Sequence, residues 1–247
     1  MLVDFCLPIK NEEKILEENI KRLVSYLTAQ PWLFDWQIVI LLNNCSDGSE
    51  KIAERLIAGN KQIKKSVIVE AGKGRALKSY FRESRADILV FMDIDLAVSL
   101  DNLPDLLNPL IKQERELVIG SRLLKKSRTS RSWWREISSR FYNYLSRLIL
   151  NHNFRDLQCG FKAFKRELFV KVEPYLHDNA WFFDTELIAL ANYFNYNILE
   201  IPVDWQENRY DSRQSKVKVF KDAWGFLKNL LSFRKRINKI KRHHDNV

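Results

Sequence analysis

Apolar positions in this chain come in short continuous runs separated by stretches with helical spacing. Residues 2 to 8, LVDFCLP, form an apolar strand candidate broken at Pro8. The following NEEKILEENIKRLVSYL places Ile15, Ile20, Leu23, Val24 and Leu27 near the three- and four-residue spacing of an amphipathic helix. The unit recurs as WQIVILL, NNCSDGS and EKIAERLIA, then as KSVIVEA, GKG and RALKSYFRES, then as DILVFMD and NLPDLLNPLIKQ, and ELVIGSR closes the series at residue 122. Strands alternating with helices predict an α/β fold, a mostly parallel sheet covered on both faces. Ligands of such sheets sit beyond the carboxyl ends of the strands. Those ends carry PIKNE, NNCSDGS, AGKGRA, DID and GSR, a polar and charged series that predicts a nucleotide-binding edge.

After residue 123 the alternation stops. A basic loop leads into a helix whose Trp134, Ile137, Phe141, Tyr144, Leu145 and Leu148 share one face. That face is expected to pack on the sheet, although Trp133 beside Trp134 among arginines also suits a membrane interface. WFFDTELIALANYF reads as a buried helix, NILEIPVDW as a strand and QENRYDSRQSK as a polar loop. From Val217 on, Phe220, Trp224, Leu227, Leu230, Leu231 and Ile237 recur at helical spacing with lysines and arginines between them. This basic amphipathic tail, residues 217–247, either docks on the domain or anchors it to an anionic membrane surface.

Composition narrows the picture. An apolar fraction of 46% over 247 residues allows a sizeable core and excludes a disordered chain. Cys6, Cys45 and Cys159 lie far apart without CxxC spacing, which fits a reducing compartment and predicts a cytoplasmic protein. Neither a signal-peptide pattern nor an apolar stretch of about 20 residues is present in it. The net charge of +10 points to anionic partners: nucleotide, phosphorylated substrate, phospholipid surface or nucleic acid.

The candidate chemistry centres on Asp93 and Asp95. Alternate residues of an extended segment point the same way, so Asp-x-Asp predicts two carboxylates on one side, able to hold Mg²⁺ or Mn²⁺ against a diphosphate. His152, His177, His243 and His244 show neither metal-ligand nor triad spacing, and AGKGRAL lacks Walker or GxGxxG spacing. Kinase and dehydrogenase readings fall away.

The order LPIKNE, NNCSDGS, GKGRAL, MDIDLA, GSR, DLQCGFK, WFFDTEL and IPVDWQENRYDSRQSK resembles the inverting nucleotide-sugar glycosyltransferases of GT-A fold. Within these it is most similar to the dolichyl- and polyprenyl-phosphate sugar synthases, over roughly residues 3 to 216. The resemblance implies one domain over 1–216, with a nucleotide-sugar-binding half at 1–122 and an acceptor half at 123–216. It implies that Pro8, Asn11, Glu12 and the loop from Asn43 to Asp47 hold base and ribose, with Lys73 near the nucleotide and Asp93 and Asp95 at metal and diphosphate. By the same resemblance Arg122, Arg135, Arg213 and Lys216 grip the acceptor phosphate, Gln158 and Lys162 shape the sugar and acceptor pocket, and Asp184 faces the donor sugar.

The chain departs from that family pattern in places. NNCSDGS is one residue short and has Asn43 and Asn44 where acidic residues are usual; Lys10 replaces the usual neighbour of NE. Ala97 stands where mannose synthases often carry glutamine, which argues against the mannose branch, and QCGFK and FDTEL lean to the glucose-type branch. A lipid monophosphate is already anionic and needs positioning and charge balance but no general base. A saccharide hydroxyl acceptor, the alternative, needs a carboxylate base, for which Asp184 or Glu186 is the candidate. A nucleic-acid-binding module is disfavoured, because carboxylates at the strand ends repel a phosphate backbone. The expectation is a peripheral enzyme at the cytoplasmic membrane face.

Overall fold

Four strand and helix units build the first half, as the apolar runs predict. The computed structural model describes residues 1–130, 133–206 and 219–244, with backbone alone for 134–135, 219–224, 226 and 241–244. The units are β1 (Leu2–Ile9), α1 (Glu13–Ala29), β2 (Asp35–Asn43), α2 (Ser49–Gly59), β3 (Ile63–Ile68), α3 (Lys73–Glu83), β4 (Ile88–Met92) and α4 (Leu103–Ile111), followed by β5 (Leu117–Ser121). The second half adds β6 (Arg128–Ser130), α5 (Trp133–Leu150), β7 (Phe161–Lys165), α6 (Arg166–Val172), α7 (Phe183–Tyr193), β8 (Ile198–Pro202), β9 (Asp204–Gln206) and α8 (Val219–His244).

Seven strands form one sheet in the order β3-β2-β1-β4-β7-β5-β8, and β6 pairs with β9 beside it. All neighbours in the large sheet are parallel except at β7, which runs antiparallel to β4 and β5. Strand alternation divides the core in two. Val3, Phe5, Leu7 and Ile9 pack with Ile15, Leu16, Ile20, Leu23, Leu106 and Leu107 on one face. Cys6, Val39 and Leu41 pack with Ala76, Leu77, Phe81, Phe183 and Leu187 on the other. Asp4, buried among the latter, is satisfied by the hydroxyls of Tyr80 at 2.7 Å and Ser84 at 2.6 Å and by Gln37.

The sequence pattern does not reveal β7. Its FKAFK carries Lys162 as the second residue of a central strand, fully buried, where a lysine reads as a surface residue. The register sets Phe161 opposite Met92, so Gly160 lies against Asp93, whose amide donates to the Gly160 carbonyl at 3.1 Å.

The predicted packing of α5 is corrected. Ile137, Phe141, Tyr144 and Leu148 are exposed, while Asn143 and Ser146 on the opposite side are fully buried and Leu145 is half-buried; the Trp134 side chain lies outside the described residues. The physical reason is what α5 packs against. Its inner side meets polar partners: Asn143 Oδ1 accepts from the Leu157 amide, in the loop before β7, at 2.9 Å, and the Tyr142 hydroxyl shares a hydrogen bond with the Thr185 hydroxyl of α7 at 2.6 Å.

The tail resolves toward docking within its described residues. Leu230, Phe233 and Ile237 of α8 are buried in the second core, and the Phe233 ring meets Phe182 edge-on at 5.9 Å. Among the described residues no helix is long and apolar enough to cross a membrane.

Candidate active site

The parallel strands β1, β2, β4 and β5 end at one edge, and the antiparallel β7 starts there. Two loops are locked together at its left end. Asn11, in left-handed backbone with φ 54°, donates to the Ser46 hydroxyl at 3.1 Å and accepts from the Ser46 amide at 2.8 Å. Asp47 accepts from the Glu13 and Ser49 amides, each at 3.0 Å, while Glu13 takes the Gly48 amide at 2.7 Å and the Ser49 hydroxyl takes the Glu12 amide at 3.1 Å. Burial tends to raise the Asp47 carboxyl, but the Ser49 hydroxyl and these amides outweigh it and hold it below the usual carboxylate range. Pro8 sits in β1 opposite Leu41 of β2.

The glycines of GKG serve close packing. Asn43 Oδ1 takes the Gly72 amide at 3.0 Å, and the first amides of α3, on Gly74 and Arg75, donate to the carbonyls of Ala180 and Asn179 at 3.1 and 3.0 Å. Gly72 has φ 146°, and a Cβ on Gly74 would lie 2.6 Å from that of Phe183. These contacts bring the loop before α7 onto α3 and fix Lys73 between the two halves.

Lys73 donates to Asp93 Oδ1 at 3.0 Å and lies 3.8 Å from Asp184 Oδ2; Lys162 meets Asp184 Oδ1 at 2.5 Å and the Cys159 carbonyl. Both ammonium groups sit over the Phe91 ring, at 5.4 and 5.1 Å. Burial alone depresses a lysine, but the carboxylates of Asp93 and Asp184 reverse this and raise Lys73 above its usual range. Asp184, buried at the start of α7, is thus enclosed by two cations. Glu186, two residues on, accepts the His177 and Asp178 amides at 2.8 Å each and Arg236 of α8 at 2.5 Å.

Arg122, at the end of β5, is bound by buried Asp156: Nε and the backbone amide reach Oδ2 at 2.7 and 3.0 Å, and Nη2 reaches Oδ1 at 2.9 Å. Burial works against the Arg122 charge, yet Asp156 more than offsets it; burial likewise lifts Asp156, and Arg122 brings it below its usual range. Glu200 of β8 holds the Asp156 amide at 2.8 Å. Gln158 donates to Thr185 Oγ1 at 2.8 Å. Buried Cys159 is pushed up to about 12, chiefly by burial, so it is no thiolate nucleophile at neutral pH.

Asp93 and Asp95 follow β4 in a turn, with Leu96 at φ 47°, which corrects the extended geometry expected of them. Both remain partly exposed. Asp93 Oδ1 is taken by Lys73, and its other oxygen lies so close to Gly160 that a Cβ there would stand 2.0 Å from it. Two carboxylates with hard oxygen donors suit a divalent cation that completes its shell from substrate phosphates and water, so these residues fit Mg²⁺ or Mn²⁺. Among the described residues no cluster of three metal-ligating side chains occurs.

Of the residues singled out in the sequence, Asn11, Glu12, Asn43, Asp47, Lys73, Asp93, Asp95, Asp184, Lys162, Gln158 and Arg122 lie along this edge or in the networks that support it. Arg213, Lys216 and the Arg135 side chain lie outside the described residues. Sequence reasoning passed over Asp156, Thr185, Glu200, Tyr142 and Arg236. Asp156 had a signal, standing two residues before Gln158 in DLQCGFK, and so had Thr185, between Asp184 and Glu186 in WFFDTEL; the others gave none.

The family model described as glycosyl transferase family 2 matches residues 4–172. The chain is 33% identical to Glycosyltransferase AglD of Haloferax volcanii over 93% of its own length and 36% of that protein's. It is 30% identical to dolichyl-phosphate beta-glucosyltransferase of Homo sapiens over 81% of its own length and 66% of that protein's. The chain therefore spans less than two thirds of either relative. The crystal structure of glucosyl-3-phosphoglycerate synthase from Mycobacterium tuberculosis shares its fold, with TM-score 0.68 and 20% identity over 94% of this chain and 80% of that one. The sheet with its one inserted antiparallel strand is thus a GT-A fold, and the chain belongs to glycosyl transferase family 2.

Proposed function

We propose that the protein transfers a hexose with inversion from a nucleoside diphosphate sugar, UDP-glucose favoured, to a polyprenyl phosphate at the cytoplasmic face of a membrane. One observation carries the choice of acceptor: neither α7 carboxylate is free to act as a base. Asp184 is held between Lys73 and Lys162, and Glu186 is filled by two amides and Arg236. A hydroxyl acceptor needs such a base, whereas a phosphate oxygen is already anionic. The human relative, named for dolichyl phosphate and glucose, points the same way. The mycobacterial synthase, crystallised with Mn²⁺ and UDP-glucose, bears on donor and cation alone.

In this reading Asn11, Asn43 and Asp47 shape the base and ribose site beside Pro8 and Glu12. Asp93 and Asp95 would hold Mg²⁺ or Mn²⁺, which when bound neutralises charge on the departing diphosphate. Lys73 orients the Asp93 carboxylate, and Lys162 fixes Asp184 toward the donor sugar. Gln158 lines the sugar pocket. Arg122 with Arg135, Arg213 and Lys216 balances the acceptor phosphate, Arg122 being aimed by Asp156.

The test is thermal stabilisation by UDP-glucose with and without Mn²⁺, followed by transfer to polyprenyl phosphate. Stabilisation is expected only with the cation, and Asp95→Asn is expected to lower transfer about a hundredfold or more. Donor binding indifferent to metal, together with an Asp95→Asn protein of full activity, overturns the reading.

A further inference from the structure

The outward side of α5 carries five of the twelve large hydrophobic side chains exposed among the described residues. Trp133, Ile137, Phe141, Tyr144 and Leu148 are 59, 51, 61, 53 and 64% exposed. Their spacing of four, four, three and four residues makes a single stripe along the whole helix. Isolated apolar residues are ordinary on a protein surface, but a contiguous stripe of five marks a contact face.

Along one edge of the stripe stand Arg140 and Arg147, seven residues and so about two turns apart. With Arg155 and Leu123 they line a cavity of about 100 Å³ that has no carboxylate in its wall among the described residues. Arg140 is paired with Glu136 on its own helix at 2.6 Å. Arg147 and Arg155 make no ion pair among the described residues, although like charges gathered around a cavity repel one another. Lys125, Lys126 and Arg128, all exposed, follow Leu123 in the chain. The cavity also adjoins the Arg122–Asp156 pair in sequence, through Leu123 and Arg155.

We propose that α5 is the face on which the protein meets an anionic bilayer, its stripe entering the interface and the Arg140, Arg147 and Arg155 cavity receiving a phospholipid phosphate. Charge complementarity selects this occupant. A second copy docked through the stripe brings the same basic edge close to itself, whereas a bilayer offers phosphates to the arginines and an apolar layer to Phe141 and Leu148 at once. Trp133 and Tyr144 suit the headgroup level between them. The inference deepens the lipid-acceptor reading and rests on it only for the membrane setting. It also moves membrane contact from α8, whose Leu230, Phe233 and Ile237 are buried, to α5.

The experiment is flotation of the full chain with vesicles of phosphatidylcholine alone and of phosphatidylcholine mixed with phosphatidylglycerol. The parent is expected to prefer the mixed vesicles. Phe141→Ser with Leu148→Ser is expected to weaken that partition about tenfold or more without lowering the thermal midpoint, since both side chains are exposed. Arg147→Gln with Arg155→Gln is expected to abolish the preference for phosphatidylglycerol while leaving the weaker neutral-vesicle binding. Unchanged flotation of both variants overturns the proposal. So does a lipid-free dimer, seen by sedimentation equilibrium, that Phe141→Ser with Leu148→Ser converts to monomer. Transfer to polyprenyl phosphate in detergent micelles tests the acceptor reading separately: its absence sinks that reading and leaves the flotation result standing.

Discussion

Gly160 lacks a side chain at the one place where a Cβ would collide with the Asp93 carboxylate. Gly160→Ala is therefore expected to displace Asp93 from Lys73 and to weaken Mn²⁺-dependent UDP-glucose binding about tenfold or more in calorimetry, with only a small change in thermal midpoint. His152 offers a second test. It is buried, its ring is stacked on Phe154 at 5.7 Å, and neither ring nitrogen has a hydrogen-bond partner among the described residues. Burial first, and then Arg147, lowers it from 6.5 to about 4. Between those values the unfolded chain carries the extra proton, so stability falls as pH drops through this window, by about 3 kcal/mol in all. Replacing His152→Leu is expected to remove that acid limb from urea unfolding curves recorded across the window; an unchanged slope shows that another group carries it. Of these residues the sequence displays Asp93 and Lys73 plainly, because charge beside a buried strand is conspicuous. Gly160 and His152 read as ordinary, since their importance lies in what surrounds them.

Among elements, α8 is joined to the donor edge by a traceable series of contacts. Arg236 holds Glu186, Glu186 holds the amides of His177 and Asp178, and the carbonyls of the next two residues hold the start of α3, which carries Lys73. Arg236→Ala is expected to cost about 2 kcal/mol of stability, because Glu186 loses its counter-charge while buried. It is also expected to weaken donor binding, with partial recovery in Arg236→Lys. A lowered melting temperature with donor affinity untouched would show that the series ends at Glu186. The amphipathic pattern shows that α5 and α8 are helices, yet it misjudges how α5 is mounted. Periodicity identifies an apolar face but not its neighbour, and Asn143 turns inward because the loop at Leu157 requires a buried acceptor. β7 escapes for a related reason: its Lys162 is neutralised by Asp184 across 22 positions of sequence.

For the molecule as a whole, the alternation of strands and helices suffices to foresee a mostly parallel sheet with helices on both faces and a polar strand-end edge. The inserted antiparallel strand is not foreseeable from local pattern, since only long-range pairing places Phe161 beside Met92. Nor is the way the two halves close on each other, which depends on Gly72 and Gly74 admitting the loop at Asn179 and Ala180.

That closure reaches further than packing. Many nucleotide sites offer phosphate the bare amides at the head of a helix. Here several of those donors are engaged by the protein itself: on α3 the Gly74 and Arg75 amides by the carbonyls of Ala180 and Asn179, and on α1 and α2 the Glu13 and Ser49 amides by Asp47. With those dipoles engaged, the proposed function leaves the counter-charge for a diphosphate to ammonium groups and a dissociable ion, a grip on the donor that background electrolyte and chelation would loosen by degrees.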